Sequence, residues 1–476
     1  MTSRVRFKLL TDDSVRIMYQ KCVEFLSNKG IKIIDHPQGL KMLDKAGAQV
    51  DFDSGQVRFS KDMIEEALRT VPTALKLSHD LVLPHPEGLF YVRSVSGVLE
   101  ILDSDSNEYR DTTLNDVAEW AQLVEVLPEI DIPLYLSPRD VPEETADIHG
   151  LKTLFGNTTK HIFVQPFSLN SVEYLFQLAL VAAGGAEALK KKPIISIWPT
   201  PLSPFGLKDM DMEVVIQAAR YGVPILAAPL PGTGGTSPAT IAGTVLQSGI
   251  EILGLIVMSQ LLTPGTPVIG LPTFFTIDML AGRDLCANVE SALGSAATAQ
   301  FIKDAFHIPT ATWAFGSDSY LPDGQSGIEK TLGGLLASGV GCDILCGAGF
   351  LDVGKTCSPV QLIIDNDMIS IIKRAIAGVK VDEDTLAWQE ILNTAPGGHY
   401  LEQEHTLRHC RDALRTELFA SQSRDTWKEE GSKDLYARAL HRYREIKKKL
   451  KPLELPAEVQ KELDQIVKQA DGYLVK

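Results

Sequence analysis

Basic residues are in short supply in this chain of 476 residues. Lysine and arginine number 46 against 61 aspartates and glutamates, a net charge of −15. A surface this acidic repels phosphate backbones and anionic lipid, which excludes a nucleic-acid groove or a membrane face as the main partner. Cysteine is scarce as well. The six thiols (Cys22, Cys286, Cys342, Cys346, Cys357, Cys410) are few for this length and read as the reduced thiols of a cytoplasmic protein, not as a disulfide frame. The opening MTSRVRFKLLTDD lacks the apolar core of a secretion signal. No hydrophobic run is long enough for a bilayer: the most apolar stretch, 249–262, is broken by Glu251 and Gln260. A glycine-rich dinucleotide fingerprint is missing after the first strand of the alternating region, which weakens an open doubly wound sheet.

What is present is an ordinary globular composition, 44% hydrophobic and 22% charged, able to bury a large core. Within 116–380 one unit recurs: a short apolar strand, a turn, a helix. Strands are predicted at 132–136, 161–164, 194–198, 223–227, 267–270, 310–315 and 343–346. Helices are predicted near 144–155, 171–182, 209–221, 238–262, 286–306, 328–336 and 359–377. This pattern predicts an α/β chain, a (β/α)8 TIM-type barrel whose eighth strand is not located. Residues 1–115 read as a mixed α+β cap layer. It has helices at 11–29, 37–46 and 61–69, a hairpin at 49–59, and a second hairpin joining 90–93 to 98–102. Residues 381–476 read as a helical extension packed on the barrel. Its lysine run at 447–449 reads as a solvated helix face.

In such folds chemistry sits at the carboxyl ends of the strands. The stretch 310–330, TATWAFGSDSYLPDGQSGIEK, joins a strand, an acid-bearing loop and a helix. Asp318, Asp323 and Glu329 are the candidate catalytic groups; the competing reading is a well-made turn with solvated acids. Aromatic rings crowd the strand ends: Trp198, Phe274, Trp313, Phe315, Tyr320 and Phe350, with Phe205 and Phe275 beside them. Ring faces around a hollow attract quaternary ammonium groups, though about half of these rings are expected merely to fill the core. Gly234, Gly235 and Thr236 precede Ser237 and Pro238, which have the chemistry of a helix start. Such a turn either points backbone N–H groups at a carboxylate or phosphate, or is only a tight connection. Residues 349–356, GFLDVGKT, match a phosphate-loop pattern, but Ser358 and Pro359 mark a helix start three residues past the lysine. That leaves a nucleotide enzyme a distant alternative. His405 and His409 have helix-pair spacing without a clear third ligand, so no metal site is expected. His405 remains a binding candidate because Tyr400, Glu402 and Glu404 surround it.

The segment 232–240, the spacing Asp318-x4-Asp323-x-Gln325-x-Gly327-x-Glu329-Lys330 and the pair His405-Thr406 together resemble the trimethylamine methyltransferase family, over nearly the whole chain. The resemblance implies an eight-stranded barrel that moves a methyl group from a methylated amine to the Co(I) of a separate corrinoid protein. The cobalamin cofactor then rides on the partner, and the chain needs no tightly bound cofactor of its own. The family archetype carries pyrrolysine, expected within 315–321, where only standard residues stand here. This is similar to the pyrrolysine-independent branch, whose substrates are quaternary amines such as glycine betaine, proline betaine or carnitine. The expected reaction converts glycine betaine to dimethylglycine, in a homo-oligomer. A quaternary-amine binding or sensing protein on the same barrel is the alternative.

Overall fold

The computed structural model describes residues 2–475. It is an α/β fold built on short parallel strands that are buried on both faces. Ile162–Val164, Ile195–Ile197, Ile225–Ala227 and Val268–Gly270 form one parallel run, aligned as Ile162 with Ile195 and Ile225 with Val268. Continuously apolar strands of this kind suit a sheet covered by helices on its outer side. Each is followed by a helix: Leu169–Ala183, Asp209–Tyr221, Ile241–Leu262 and Val289–Phe306. A second run pairs Ala311–Trp313 with Ile344–Ala348, and that strand in turn with Tyr91–Ser94. Gly270 bridges Thr310, Arg93 bridges Ile132, and the Phe163 amide donates to the Pro133 carbonyl at 3.2 Å. The expected strand at 132–136 is represented only by that bridge at Ile132, although Leu134, Tyr135 and Leu136 are wholly buried.

One expectation is overturned. Residues 90–93 and 98–102 do not form a hairpin. Tyr91–Ser94 runs parallel beside Ile344–Ala348, while Glu100–Leu102 pairs antiparallel with Tyr109–Asp111 and parallel with Thr356–Cys357. The misreading has a physical source. Phe90 and Val92 alternate with Tyr91 and Arg93, which reads as a half-solvated strand, yet Val92, Arg93 and Ser94 are all fully buried. Ile344–Ala348 is bulged opposite Arg93 and Ser94, and on its other side its backbone closely approaches Phe315. Gly347 has φ +110, and a Cβ there would stand 2.9 Å from the Phe315 carbonyl carbon.

Ile241–Leu262 is apolar and long enough to cross a membrane by composition, but 78% of its most apolar window lies inside the fold. It packs on Asp12–Asn28, Lys61–Thr70 and Val289–Phe306. Its cap is Thr240, not Ser237, whose hydroxyl instead pairs with Thr244 Oγ1 at 2.7 Å. Ser358 does cap Pro359–Ile376, so no helix begins at Lys355; Phe350–Leu351 folds back on Thr356–Cys357 instead. That geometry removes the phosphate-loop reading, which needs the helix to open at the lysine. In the last hundred residues, Leu435–Lys447 packs on Pro359–Ile376, and Ala457–Leu474 on Ala146–Phe155 and Leu169–Ala183.

Candidate active site

The strand ends gather a cluster of rings around one guanidinium. Trp313 is the last residue of its strand, and its indole stacks on Phe350 at 4.5 Å and 26°. Phe275 stands tilted beside it at 6.3 Å. Trp198 follows Ile195–Ile197 directly. Between the two tryptophans lies Arg93, its guanidinium carbon 5.4 Å from the Trp198 ring centre and 5.5 Å from that of Trp313. Arg93 is 0% exposed, and none of its three side-chain nitrogens has a hydrogen-bond partner among the described residues. The Trp198 indole N–H and the Thr356 hydroxyl are likewise buried without partners. The Cys346 thiol interacts with Arg93, but burial pushes that thiol's pKa up and keeps it neutral, and a neutral thiol accepts weakly.

The energetics of this arrangement are lopsided. Desolvating an ion costs several kcal/mol, and a desolvated cation–π contact returns about 2 kcal/mol or more without engaging an N–H donor. The rings therefore hold the guanidinium in place without satisfying its N–H donors. A planar anion can satisfy them in pairs. The rings were expected to clasp a ligand's cation. Instead Trp198 and Trp313 face the protein's own cation, and Trp313 is engaged by Phe350 as well. Arg93 escaped notice in the sequence. The only signal was an arginine set among Val92, Ser94 and Val95.

The three acids play a different part from the one expected. Asp318 accepts the Cys286 and Ala287 amides at 2.9 and 3.1 Å, tying its loop to the start of Val289–Phe306. Glu329 accepts the Ser317 hydroxyl at 2.7 Å, the Asp318 amide at 2.9 Å and the Gln325 side chain at 2.8 Å. Asp323 caps Gly324–Gly339 reciprocally with Ser326 and accepts the Ser319 hydroxyl at 2.9 Å. Acids at a loop–helix junction find unpaired amides close by, and here they bind them. Below the loop, the wholly buried Lys330 donates to the Phe315 carbonyl at 2.6 Å and to Asp365 at 3.0 Å. Asp365 also accepts the Gly349 amide at 2.6 Å, which fixes the backbone that carries Phe350.

Of the remaining candidates, Phe274 is 1% exposed and packs where a Cβ on Gly294 would stand 2.5 Å away. Its neighbour Phe275 is the ring that reaches Trp313, because successive side chains of an extended segment point oppositely. Phe315 is core, against Gly334. Tyr320 is 51% exposed; its hydroxyl accepts from Arg283 at 2.8 Å and its carbonyl from Tyr109. The amides of Gly234, Gly235 and Thr236 all donate within their own turn, to Ser237 and Gly232, so the turn is not an anion nest. His405 does not join the ring cluster. It bonds the Asp384 carbonyl at 2.9 Å and lies tilted against the His409 ring at 4.3 Å, beside a surface cavity lined by Trp388 and Arg408. The third group missing from this histidine pair is Asp384, whose carboxylate lies 3.1 Å from His409; His409 also meets Asp412 at 2.6 Å. Chain folding over twenty residues supplied it, so spacing alone could not.

Parallel strands with a buried cluster of rings at their carboxyl ends are the architecture on which α/β enzymes carry their sites. The chain belongs to the trimethylamine methyltransferase (MTTB) family, whose pattern matches residues 2–472. It is 30% identical over 469 residues to the trimethylamine methyltransferase MttB of Desulfitobacterium hafniense, covering 97% of this chain and 93% of that one. It is 25% identical over 473 residues to a glycine betaine methyltransferase of the same species, covering 98% of this chain and 97% of the relative. The monomethylamine methyltransferase of Methanosarcina barkeri shares the fold at 13% identity and a TM-score of 0.50, over 93% of each chain. The chain is therefore a methyltransferase-family enzyme.

Proposed function

We propose that this enzyme transfers a methyl group from a quaternary amine, foremost glycine betaine, to the Co(I) of a separate corrinoid protein, leaving dimethylglycine, and does so without pyrrolysine. The observation that carries this reading is the engaged state of the loop acids. Asp318, Asp323 and Glu329 all serve backbone amides and neighbouring side chains. A tertiary amine must be activated before it can lose a methyl. A quaternary ammonium needs no activation, because a neutral amine already is its leaving group. The C–N electron pair stays on nitrogen, cobalt's pair forms the new bond to carbon, and no proton moves. What the protein must supply is placement of the methyl in line with its acceptor. Positive charge on nitrogen falls during the transfer, so a tight anionic cage would stabilise the ground state and slow the step. A ring-lined site whose loop acids are already engaged avoids that.

The fold proposal is a (β/α)8 barrel, with Tyr91–Ser94 as the strand not located from sequence. Support comes from the Gly270–Thr310 bridge, which joins the two runs on one side, and from the Arg93–Ile132 bridge with the Phe163–Pro133 hydrogen bond, which link them through the 132–133 segment on the other. It comes also from Arg93, which touches Trp198 and Trp313 from strands well separated along the pairing order. The cap layer then ends near residue 90, and the helical extension from about 381 covers the outer helices. We place the enzyme in the cytoplasm, working as a homo-oligomer.

The test is a panel of quaternary amines with Co(I)-cobalamin, read by its visible spectrum. Demethylation of glycine betaine is expected. No methyl transfer from any quaternary amine would overturn the proposal, and binding without transfer would point to a sensing protein.

A further inference from the structure

We infer that Arg93, held between Trp198 and Trp313, is the receptor for a carboxylate on the methyl donor and restricts the enzyme to zwitterionic donors. This rests on the quaternary-amine reading above and deepens it. The guanidinium is fully buried, and among the described residues its Nε, Nη1 and Nη2 have nothing beyond the weak contact of the neutral Cys346 thiol. Lys330, the other wholly buried lysine or arginine among the described residues, is saturated by Asp365 and carbonyl oxygens, so this fold does supply partners where a cation is structural. A buried charge left unpaired is strongly destabilising, which makes the unsatisfied Arg93 donors a place where a ligand anion gains more than it would in water. The planar fork of donors matches a carboxylate, two N–H groups to two oxygens. The Trp198 indole N–H, also unpartnered, is a further donor on a ring that the guanidinium already touches.

Selectivity follows from charge. A donor such as choline or tetramethylammonium would bring a second cation to a site that already holds an uncompensated one, in surroundings that screen poorly. A betaine brings its own neutralising group, and the pair Arg93–carboxylate leaves the ammonium as the site's one net charge. The same logic disfavours trimethylamine, which has no carboxylate. Arg93 thus separates amino-acid-derived donors from simple methylamines.

The experiment uses the full-length wild-type protein without corrinoid, with equilibrium binding followed by calorimetry and by indole fluorescence, since both tryptophans flank the guanidinium. Glycine betaine should bind, and choline and tetramethylammonium should bind about 100-fold more weakly or worse, the scale of one lost charge-assisted hydrogen-bond pair. Arg93→Met should abolish betaine binding. Arg93→Lys, which keeps the charge and loses the fork, should weaken it about 10-fold or more. Equal wild-type affinity for betaine and tetramethylammonium would overturn the inference, while methyl transfer from both would leave the quaternary-amine reading intact. If no quaternary amine binds but acetate quenches the wild type and not Arg93→Lys, the receptor stands and the donor reading falls. Should Arg93→Met fail to fold, the wild-type ratio alone decides.

Discussion

Arg93 and Lys330 are both cations with fully buried side chains, and the fold treats them in opposite ways. Lys330 lies under the 315–321 loop, in contact with Asp365 and the Phe315 carbonyl, and joins two strand ends into one rigid unit. Arg93 lies among rings, with its donors unengaged. The first arrangement is what a charge looks like when it builds structure. The second is incomplete without something from outside. The loop acids fall with Lys330: Asp318 and Glu329 lie near the candidate site and are still architectural, because their oxygens already hold amides. Nearness to a cluster of rings is therefore a weaker guide to chemistry than an unsatisfied polar group.

Several variants would break or sharpen this contrast. The largest effect belongs to Asp365→Ala, which strands Lys330 in the core; it should lower unfolding free energy by about 3–5 kcal/mol in urea melts. A loss under about 1 kcal/mol would mean that Lys330 too is a group awaiting a ligand. Next comes Asp318→Ala, which removes the acceptor of two backbone amides. Stability should fall by about 1–3 kcal/mol with donor affinity unchanged. A tenfold loss of affinity at constant stability would return Asp318 to the binding site.

A pH-dependent effect tests burial of an acid in the same way. Asp211 accepts the amide of Thr200, two residues past Trp198, at 2.8 Å, and its second oxygen is buried without a partner among the described residues. Burial raises its pKa to about 6. The folded carboxyl thus holds its proton more tightly than the unfolded one. Its favourable contribution is complete below the unfolded pKa and is lost as pH rises through about 6. Asp211→Asn should therefore gain in thermal stability relative to wild type between pH 4 and pH 8 melts, and a difference that is flat with pH would refute the assignment. Smallest of all is His405→Ala. Donor affinity should be unchanged and stability should move within about 0.5 kcal/mol, since its contacts lie in the carboxyl-terminal segment. Weakened donor binding would bring His405 back to the site.

Much of the frame was legible beforehand. Strands near 161–164, 194–198, 223–227, 267–270, 310–315 and 343–346 are where apolar runs between turn residues predicted them. Ser358-Pro359 correctly marked a helix start, and the family was recognisable from the loop spacing. Trp198, Trp313 and Phe350 meet around one spot, while Phe274 and Phe315 belong to the core. The strand at 91–94 reads from sequence as half of a cap hairpin, because an arginine inside a strand suggests a solvent-facing side; its true partner is Ile344–Ala348. The acids were overrated because their type was visible and their partners were not.

Apolar spacing and turn chemistry are local properties, carried by residues within a few positions of each other. They sufficed to determine the succession of strand and helix, where most helices begin, and the family to which the chain belongs. Whether a charge is satisfied depends on atoms supplied from far along the chain. Lys330 finds Asp365, Asp318 finds Cys286 and Ala287, and Arg93 finds rings and a neutral thiol. That difference, which separates scaffold from site, exists only once the strands have brought distant residues together.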